Sequence, residues 1–267
     1  MGMDESLISN NLNQELNQKQ KEAVTLSEQS ALILAGAGSG KTKVLTSRFS
    51  WLISNQITSP GGILAVTFTN KAAKEMLVRI SSQLPINPRG MWVGTFHGLC
   101  NRFLKKHHND ANLPQLFQIL DSADQKSAIK RVMKAMDINE DLLPSKEVLY
   151  FINANKEEGI RSNEFKAYDD ITQKKNEIYK NYEAQCQKEG VVDFAELLLR
   201  CLELFQKNQT IREHYQSVFQ HILVDEFQDT SRLQYEWLKI LTSSKSFIFA
   251  VGDDDQSIYG FRGARPG

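Results

Sequence analysis

The sequence predicts an α/β fold in which a parallel β-sheet flanked by helices is interrupted by a helical insertion. A short apolar run at residues 31–34 ends in a glycine cluster and is followed by a helical pattern at 41–54. Two further strand-like runs, 63–68 and 91–96, enclose a helical segment at 72–84. Strands that alternate with helices at this spacing indicate a parallel sheet with helices on both faces.

The insertion is predicted from a change in character at about residue 99. From there to 215 strand-like runs disappear and long charged helical segments take over, and strands return at 221–224 and 247–251. We therefore expect a sheet domain built from residues 1–98 and 216–267, with residues 99–215 forming an all-helical second domain.

Composition excludes several classes of protein. Lys plus Arg and Asp plus Glu both number 32, so a strongly basic, duplex-coating protein is excluded and any nucleic-acid contact must come from local patches and aromatic side chains. The three cysteines lack paired spacing, which argues against a zinc site and for a reducing, cytoplasmic setting. No apolar stretch reaches the ~20 residues of a membrane span, and no signal-peptide pattern is present.

A phosphate-binding loop is predicted between the first strand and the helix that follows it. Its residues are Ala35, Gly36, Ala37, Gly38, Ser39, Gly40, Lys41 and Thr42. The glycines let backbone N–H groups turn towards phosphate oxygens, Lys41 can neutralise the β- and γ-phosphates, and the Thr42 hydroxyl can ligate Mg²⁺. Ala35 departs from the strict pattern, which has Gly there. The coincidence of strand, glycines, lysine and helix still predicts nucleotide binding.

Two strand ends carry candidate metal and water ligands. Asp225 and Glu226 follow an apolar strand, at the end where open parallel sheets bind ligands. We expect Asp225 to hold Mg²⁺ and Glu226 to orient and deprotonate the attacking water. After the next strand come three acids and Gln256, whose amide can contact the γ-phosphate. Because three adjacent acids would repel a triphosphate, we expect Asp254 to be structural.

Several ordered segments together resemble superfamily 1A DNA helicases, the UvrD/Rep/PcrA family. Besides the phosphate loop, the segments that carry the resemblance are residues 16–20, 67–73, 92–99, 192–197, 224–230 and 251–264. They occur in the family's order and cover nearly the whole chain. Residues 90–97 and 119–122 favour the UvrD branch, with Rep-type and nuclease-coupled members left open.

The resemblance implies a RecA-like P-loop NTPase domain, called 1A, interrupted by a helical domain, called 1B. It implies ATP and Mg²⁺ as ligands, movement 3′ to 5′ along single-stranded DNA, and work at single-strand/duplex junctions with repair or replication proteins. A second RecA-like domain, which would supply arginines to the γ-phosphate, is expected to lie beyond residue 267. We therefore expect this chain alone to bind nucleotide and DNA weakly and not to unwind duplex DNA.

The resemblance also assigns roles to individual residues. Gln20 matches the residue that reads adenine, and Gln228 matches a position near the γ-phosphate. Lys43 stands where the family more often has an adenine-packing arginine. Positions that match DNA contacts are Phe68, Thr69, Asn70, His97, Phe194, Tyr259, Phe261 and Arg262. Stacking of bases on aromatic side chains is tolerant of sequence and suits a motor that steps along any DNA.

Two other classes of function stay open. A module that senses nucleotide without hydrolysing it would not need the water-activating Glu226. A P-loop kinase would transfer phosphate to a small acceptor, and it would not need the aromatic residues Phe68, Tyr259 and Phe261.

Overall fold

Seven β-strands run through the residues that the computed structural model describes, which are 16–36 and 40–253. The strands are β1 Ala31–Ala35, β2 Ile63–Thr67, β3 Trp92–Thr95, β4 Gln118–Leu120, β5 Val191–Asp193, β6 His221–Val224 and β7 Phe247–Asp253.

Ten α-helices accompany these strands in the same residues. They are α1 Gln18–Val24, α2 Lys41–Ser54, α3 Asn70–Gln83, α4 Phe96–Lys106, α5 Ser122–Ala135, α6 Ser145–Glu157, α7 Asp170–Glu189, α8 Phe194–Lys207, α9 Gln209–Val218 and α10 Arg232–Leu241. Two 3₁₀ turns, Pro60–Gly62 and Phe227–Asp229, precede β2 and follow β6. None of the described helices is both long and apolar enough to cross a bilayer.

The described residues divide into two units. The sheet unit contains residues up to 99, together with 209–231 and 238–253, and the helical unit contains residues 100–208 and 232–237. The assignment of these units to domains 1A and 1B, with the boundaries given above, stays a prediction.

The sheet unit is built on five parallel strands in the order β1-β7-β6-β2-β3. Every residue of β2 and β6 is buried. This agrees with their continuous apolar sequences, which are typical of strands covered on both faces. The predicted α/β fold with a parallel sheet is therefore confirmed. Helix α2 packs on this sheet through its apolar stripe, in which Val44, Leu45, Phe49 and Leu52 are buried.

The prediction that β1 is a buried strand was wrong for one of its faces. Ala31 and Ile33 pack against the core, but Leu32 is 42% and Leu34 38% exposed on the opposite face. A short apolar run does not by itself distinguish a strand buried on two faces from one buried on a single face. At the edge of the described sheet, the residues of β1 that face the core are half-buried and those on the other face are exposed.

The core of the helical unit lies between α5, α6 and α7. Ile129, Val148 and Ile152 meet Ile178 and Tyr179 there, and all five side chains are fully buried. Helix α5 is capped by the carboxylate of its preceding residue, Asp121, which accepts from the backbone N–H of Asp124 at 2.8 Å.

The prediction of an all-helical insertion was wrong in one detail, because β4 and β5 form a parallel pair within the helical unit. Strands of three residues are too short to show an alternating pattern. Gly190, in the left-handed region at φ +67°, ends α7 and turns the chain into β5. A Cβ at this position would lie 2.7 Å from Cγ of Pro114, so the turn depends on glycine.

Candidate active site

Three adjacent strands of the sheet unit bring their carboxyl ends to one edge. Strand β7 lies between β1 and β6, and Ala35 at the end of β1 is paired in register with Asp253 at the end of β7. Asp225 directly follows the end of β6. The predicted phosphate loop therefore begins beside two carboxylates, at the edge where open parallel sheets bind ligands.

Helix α2 begins at Lys41, as the sequence predicted, and Gly40 forms its N-cap with φ +79°. That left-handed conformation is one that glycine adopts at no steric cost. The N-terminus of a 14-residue helix thus points to the sheet edge, where its backbone N–H groups favour an anion. Ala37, Gly38 and Ser39 lie outside the described residues.

Lys41 faces two carboxylates without forming a tight pair with either. Its Nζ lies 3.7 Å from Oε2 of Glu226 and 3.9 Å from Oδ2 of Asp253. Close charge-assisted hydrogen bonds measure about 2.7–2.9 Å, so both ion pairs are long. The lysine side chain is 11% exposed, so its ammonium group is largely shielded from solvent, but it forms no short ion pair with either acid.

Asp225 is the most deeply buried acid of this site. It is 3% exposed, and its Oδ1 accepts from the backbone N–H of Glu226 at 2.8 Å. Burial raises the pKa of Asp225, and the neighbouring charge of Glu226 raises it further, while Lys41 and a hydrogen bond with Thr42 act in the opposite direction. A buried carboxylate whose charge is incompletely compensated, next to a hydroxyl, is a donor set that suits a hard cation.

Gln228 connects the ends of β6 and β7. Its Nε2 donates to Oε2 of Glu226 at 2.5 Å, and its Oε1 accepts from the backbone N–H of Asp253 at 3.0 Å. A Cβ on Gly252 would lie 3.0 Å from that same Oε1, so glycine permits the close approach. Glu226 itself adopts a left-handed backbone, with φ +48°, which is uncommon for a residue with a side chain and typical of functional sites. The amide of Gln228 thereby fixes the orientation of the Glu226 carboxylate.

Asp253 is the residue of this site that sequence reasoning missed. The acidic run after β7 directed attention to Asp254 and Gln256, which lie outside the described residues, as do Tyr259, Phe261 and Arg262. The available signal was positional, since Asp253 closes a strand that neighbours the strand leading into the phosphate loop. Reading the two strand ends side by side would have identified it.

Two residues predicted to contact adenine adjoin the phosphate loop. A Cβ added to Gly40 would lie 3.7 Å from Cδ of Lys43 and 3.8 Å from Nε2 of Gln20. Gln20 takes part in a capping box with Asn17, in which each side-chain oxygen accepts from the other residue's backbone N–H at 2.9 and 3.0 Å. The capping box fixes the rotamer of Gln20 beside Gly40.

Four predicted DNA contacts of the sheet unit follow strands β2 and β3. Phe68 is half-buried and meets Phe96 edge to face, with ring centroids 5.4 Å apart. Thr69 and Asn70 are exposed, and the Thr69 hydroxyl caps α3 by accepting from the backbone N–H of Ala72 at 3.0 Å. His97 is half-buried, and burial lowers its pKa, which favours a neutral ring at pH 7.

In the helical unit, Phe194 is the first residue of α8 and is 45% exposed. Apolar burial does not account for so large an exposed aromatic surface. Asp193 before it caps the helix, accepting from the backbone N–H of Glu196 at 2.8 Å.

Comparison with known proteins identifies the family. Residues 16–267 match the UvrD/REP helicase N-terminal domain. The chain is 51% identical over 251 residues to DNA helicase II of Salmonella typhimurium and of Escherichia coli, covering 94% of this chain and 35% of each relative. It is 39% identical over 262 residues to the ATP-dependent DNA helicase PcrA of Bacillus subtilis, covering 96% of this chain and 35% of that protein.

These comparisons confirm the resemblance drawn from the ordered segments, including its UvrD branch. The chain spans about a third of the length of the relatives it matches. With a parallel sheet whose edge gathers Lys41, Asp225 and Glu226, and with this match over nearly its whole length, the chain belongs to the UvrD/REP helicase N-terminal domain family.

Proposed function

We propose that this chain is the ATP-binding part of a DNA helicase that moves 3′ to 5′ along single-stranded DNA and acts at single-strand/duplex junctions in repair or replication. The observation that carries the proposal is the convergence of Lys41 with Glu226 and Asp253, beside Asp225, at the carboxyl edge of the parallel sheet. Family membership supports the same activity.

ATP would bind with its phosphates against the loop at 35–42 and the N-terminus of α2. The Lys41 ammonium group would turn from its two long carboxylate contacts to the β- and γ-phosphates, which a loosely held lysine can do at low energetic cost. Gln20 and Lys43 adjoin the same loop and would contact the base. The predicted γ-phosphate contact of Gln256 remains part of this proposal.

Mg²⁺ fits the residues at the end of β6. Among the described residues, no group of three or more His, Cys, Asp and Glu side chains is arranged to hold a metal ion. Mg²⁺ seldom needs such a cage, because it binds through one or two protein oxygens together with water and substrate phosphates. The Asp225 carboxylate and the Thr42 hydroxyl would supply those oxygens, and the cation would neutralise phosphate charge.

Glu226 would act as the general base that orients and deprotonates the attacking water. Its carboxylate is 38% exposed, so water reaches it, and the hydrogen bond from Gln228 at 2.5 Å holds its direction. Since Gln228 also contacts the backbone of Asp253, a movement at the end of β7 would change the position of the Glu226 carboxylate. This arrangement favours hydrolysis over a purely sensing role.

DNA would be held by aromatic and polar side chains. We assign Phe68, Thr69, Asn70 and His97 in the sheet unit and Phe194 in the helical unit as contacts, together with the predicted Tyr259, Phe261 and Arg262. We also assign residues 1–98 and 216–267 to domain 1A and residues 99–215 to domain 1B. Stacking on such aromatics explains how a chain with no net charge can hold DNA.

The test is binding of MgATP by this chain, together with its steady-state hydrolysis with and without a single-stranded oligonucleotide, beside Lys41→Ala. We expect measurable MgATP binding that falls at least tenfold in Lys41→Ala, and little hydrolysis by either protein. The exposed Lys130→Ala serves as the matched lysine control and should bind as the wild type does.

Equal MgATP affinity in the wild type and Lys41→Ala would refute the nucleotide site. DNA-stimulated turnover as fast as that of whole helicases would leave the site standing, and it would refute the expectation that this chain alone is nearly inactive.

A further inference from the structure

Arg48 is a cation buried in the core of the sheet unit that neither catalysis nor DNA binding explains. It lies in the middle of α2, the helix that begins at the phosphate loop, and it is 1% exposed. Arginine is among the residues least often buried completely, and when it is buried it normally pairs with an acid.

The partners of Arg48 are backbone carbonyls at the end of α1. Its Nη1 donates to the carbonyl oxygen of Val24 at 2.9 Å and to that of Leu26 at 2.5 Å. The guanidinium carbon also lies 5.2 Å from the ring centroids of Trp51 and Phe249. Arg48 thus joins α2 and strand β7 to the point where α1 ends.

No ion pair compensates for burying this charge. In residues 16–36 and 40–253 no acidic oxygen lies within 4.0 Å of the guanidinium, and Nε has no hydrogen-bond acceptor. Burial lowers the pKa of Arg48 to about 10, so the side chain still carries its charge at neutral pH. An apolar side chain would cost less free energy to bury at this position. The role of the cation therefore lies in the chain segment that its hydrogen bonds to the Val24 and Leu26 carbonyls hold in place.

What Arg48 holds is the helix that carries Gln20. Helix α1 has seven residues, and so short a helix is not stable without tertiary contacts. At its N-terminus the capping box fixes Gln20, whose amide adjoins Gly40. The Oε1 atom of Gln20 accepts from the backbone N–H of Asn17, so the capping box sets the direction of the amide that would meet the amino group of a base.

We propose that Arg48 is a positioning residue for base recognition, which clamps the end of α1 to the phosphate-loop helix and so holds the Gln20 amide at the distance that adenine requires. This inference rests on the proposed function, because it takes Gln20 to be the residue that meets the base. The clamp thereby sets the distance between the part of the site that binds the base, which lies on α1, and the part that binds the triphosphate, which lies at the start of α2.

The test measures the affinities of the full chain for three magnesium complexes: those of ATP, inosine triphosphate and inorganic tripolyphosphate. Inosine carries an oxo group where adenine carries its amino group, and tripolyphosphate has no base. In Arg48→Met, which keeps an unbranched apolar stem but lacks the guanidinium and its charge, we expect the preference for ATP over inosine triphosphate to fall about tenfold, ~1.4 kcal/mol. Tripolyphosphate affinity should change less than twofold.

Gln20→Ala is the matched variant and should lose the same preference. The double variant should lose no more than either single one, because both changes remove the same contact. Arg48→Lys, which keeps a cation but offers a single donor group, should fold readily and lose part of the preference. Amide hydrogen exchange over residues 18–26 should speed up in both Arg48 variants, which reports release of α1.

An unchanged ratio of ATP to inosine triphosphate affinity in Arg48→Lys and Arg48→Met would overturn the inference. An equal fall in ATP and tripolyphosphate affinity would also overturn it, since that is what general loss of structure produces. If the wild type bound neither ATP nor tripolyphosphate, the proposed function would be refuted, and the inference with it.

Discussion

Each unit of the molecule contains a lysine that faces two carboxylates, and the two arrangements differ in how tightly the charges are held. In the helical unit, Nζ of Lys156 lies 2.7 Å from Asp193 and 3.2 Å from Glu196, and all three side chains are at most 6% exposed. In the sheet unit, Lys41 stands 3.7 and 3.9 Å from its two acids, and Glu226 is 38% exposed. The same residue types thus form a closed cluster in one place and an open one in the other.

Every acid of the closed cluster has several partners. Asp193 also accepts from the Tyr182 hydroxyl at 2.6 Å and from Gln125 at 3.2 Å. Glu196 also accepts from Arg161 at 2.7 and 2.9 Å and from Arg200. Burial alone would raise the pKa of Glu196, but the charges of Lys156 and Arg161 outweigh burial and hold that pKa well below its usual range.

The open cluster, taken together with the neighbouring Asp225, has the reverse balance. Burial and the charge of Glu226 raise the pKa of Asp225, so its charged form is incompletely compensated. A cluster that satisfies its own charges contributes to folding, while one that leaves a buried acid under-compensated has a use for a cation from solution. The two clusters therefore differ in geometry and pKa as a structural ion network and the proposed binding site should.

The largest expected effect comes from breaking the closed cluster. Lys156→Met should lower the free energy of unfolding by about 3–5 kcal/mol, because Asp193 and Glu196 would keep their buried charges without their shared cation. Lys41→Met is the matched variant and should change stability by less than ~1 kcal/mol, since its ion pairs are long and one partner is exposed. Urea denaturation followed by far-ultraviolet circular dichroism measures both.

Losses of similar size in the two variants would break the comparison, because they would show that the long contacts of Lys41 support the fold as strongly as the short contacts of Lys156 do.

The sequence predicted the parts of the molecule that local patterns encode. Periodicity and glycine placement predicted the parallel sheet and the start of α2 at Lys41, because each depends on residues close together in the chain. The strand ends at Asp225 and Glu226 could be read in the same way. The three-residue strands β4 and β5 could not, since their pairing depends on residues more than seventy positions apart.

Roles that depend on tertiary neighbours were also beyond the sequence. Asp253 became a candidate only when β7 was placed beside β1, and Arg48 only when its guanidinium was found on the carbonyls of α1. The exposed face of β1, at Leu32 and Leu34, was missed because an apolar run does not report how many faces are covered. In each case the missing information was which elements become neighbours.

A smaller effect is expected at Phe194, an exposed residue next to the closed cluster. Phe194 follows the buried Asp193 yet is 45% exposed, so the cluster fixes the backbone while the ring faces outward. Phe194→Ala should weaken binding of a single-stranded oligonucleotide by about 1–3 kcal/mol. Stability should change by no more than ~0.5 kcal/mol, since the ring is largely exposed. Fluorescence anisotropy of a labelled oligonucleotide measures the affinity.

Tyr168→Ala is the control for Phe194, because Tyr168 is an aromatic residue of the same unit with 81% exposure and no predicted DNA contact. Equal weakening in both variants would indicate that exposed aromatic residues of the helical unit bind DNA without specific placement. No weakening in Phe194→Ala would remove Phe194 from the DNA contacts.

The smallest expected effect is a gain in stability instead of a loss. Asp225→Asn should raise the free energy of unfolding by about 0.5–1 kcal/mol at pH 7, because an amide keeps an acceptor for the Glu226 N–H and removes an under-compensated buried charge. The same change should reduce the magnesium dependence of ATP binding, since it removes the anionic oxygen. Stability gained together with function lost is the behaviour expected of a binding site and not of a structural network.

The pH dependence of this gain follows from the direction of the Asp225 shift. A carboxyl whose pKa is raised by folding binds its proton more tightly in the native state, so it lowers stability as the pH rises from the unfolded value of 3.8 through the folded value. The advantage of Asp225→Asn should therefore be smallest below pH 3.8 and should grow as the pH rises through the folded pKa, as measured by urea denaturation across that range. A constant difference would mean that the asparagine acts through packing, and Asp225 would then lose its claim to be the acid that the open cluster leaves under-compensated.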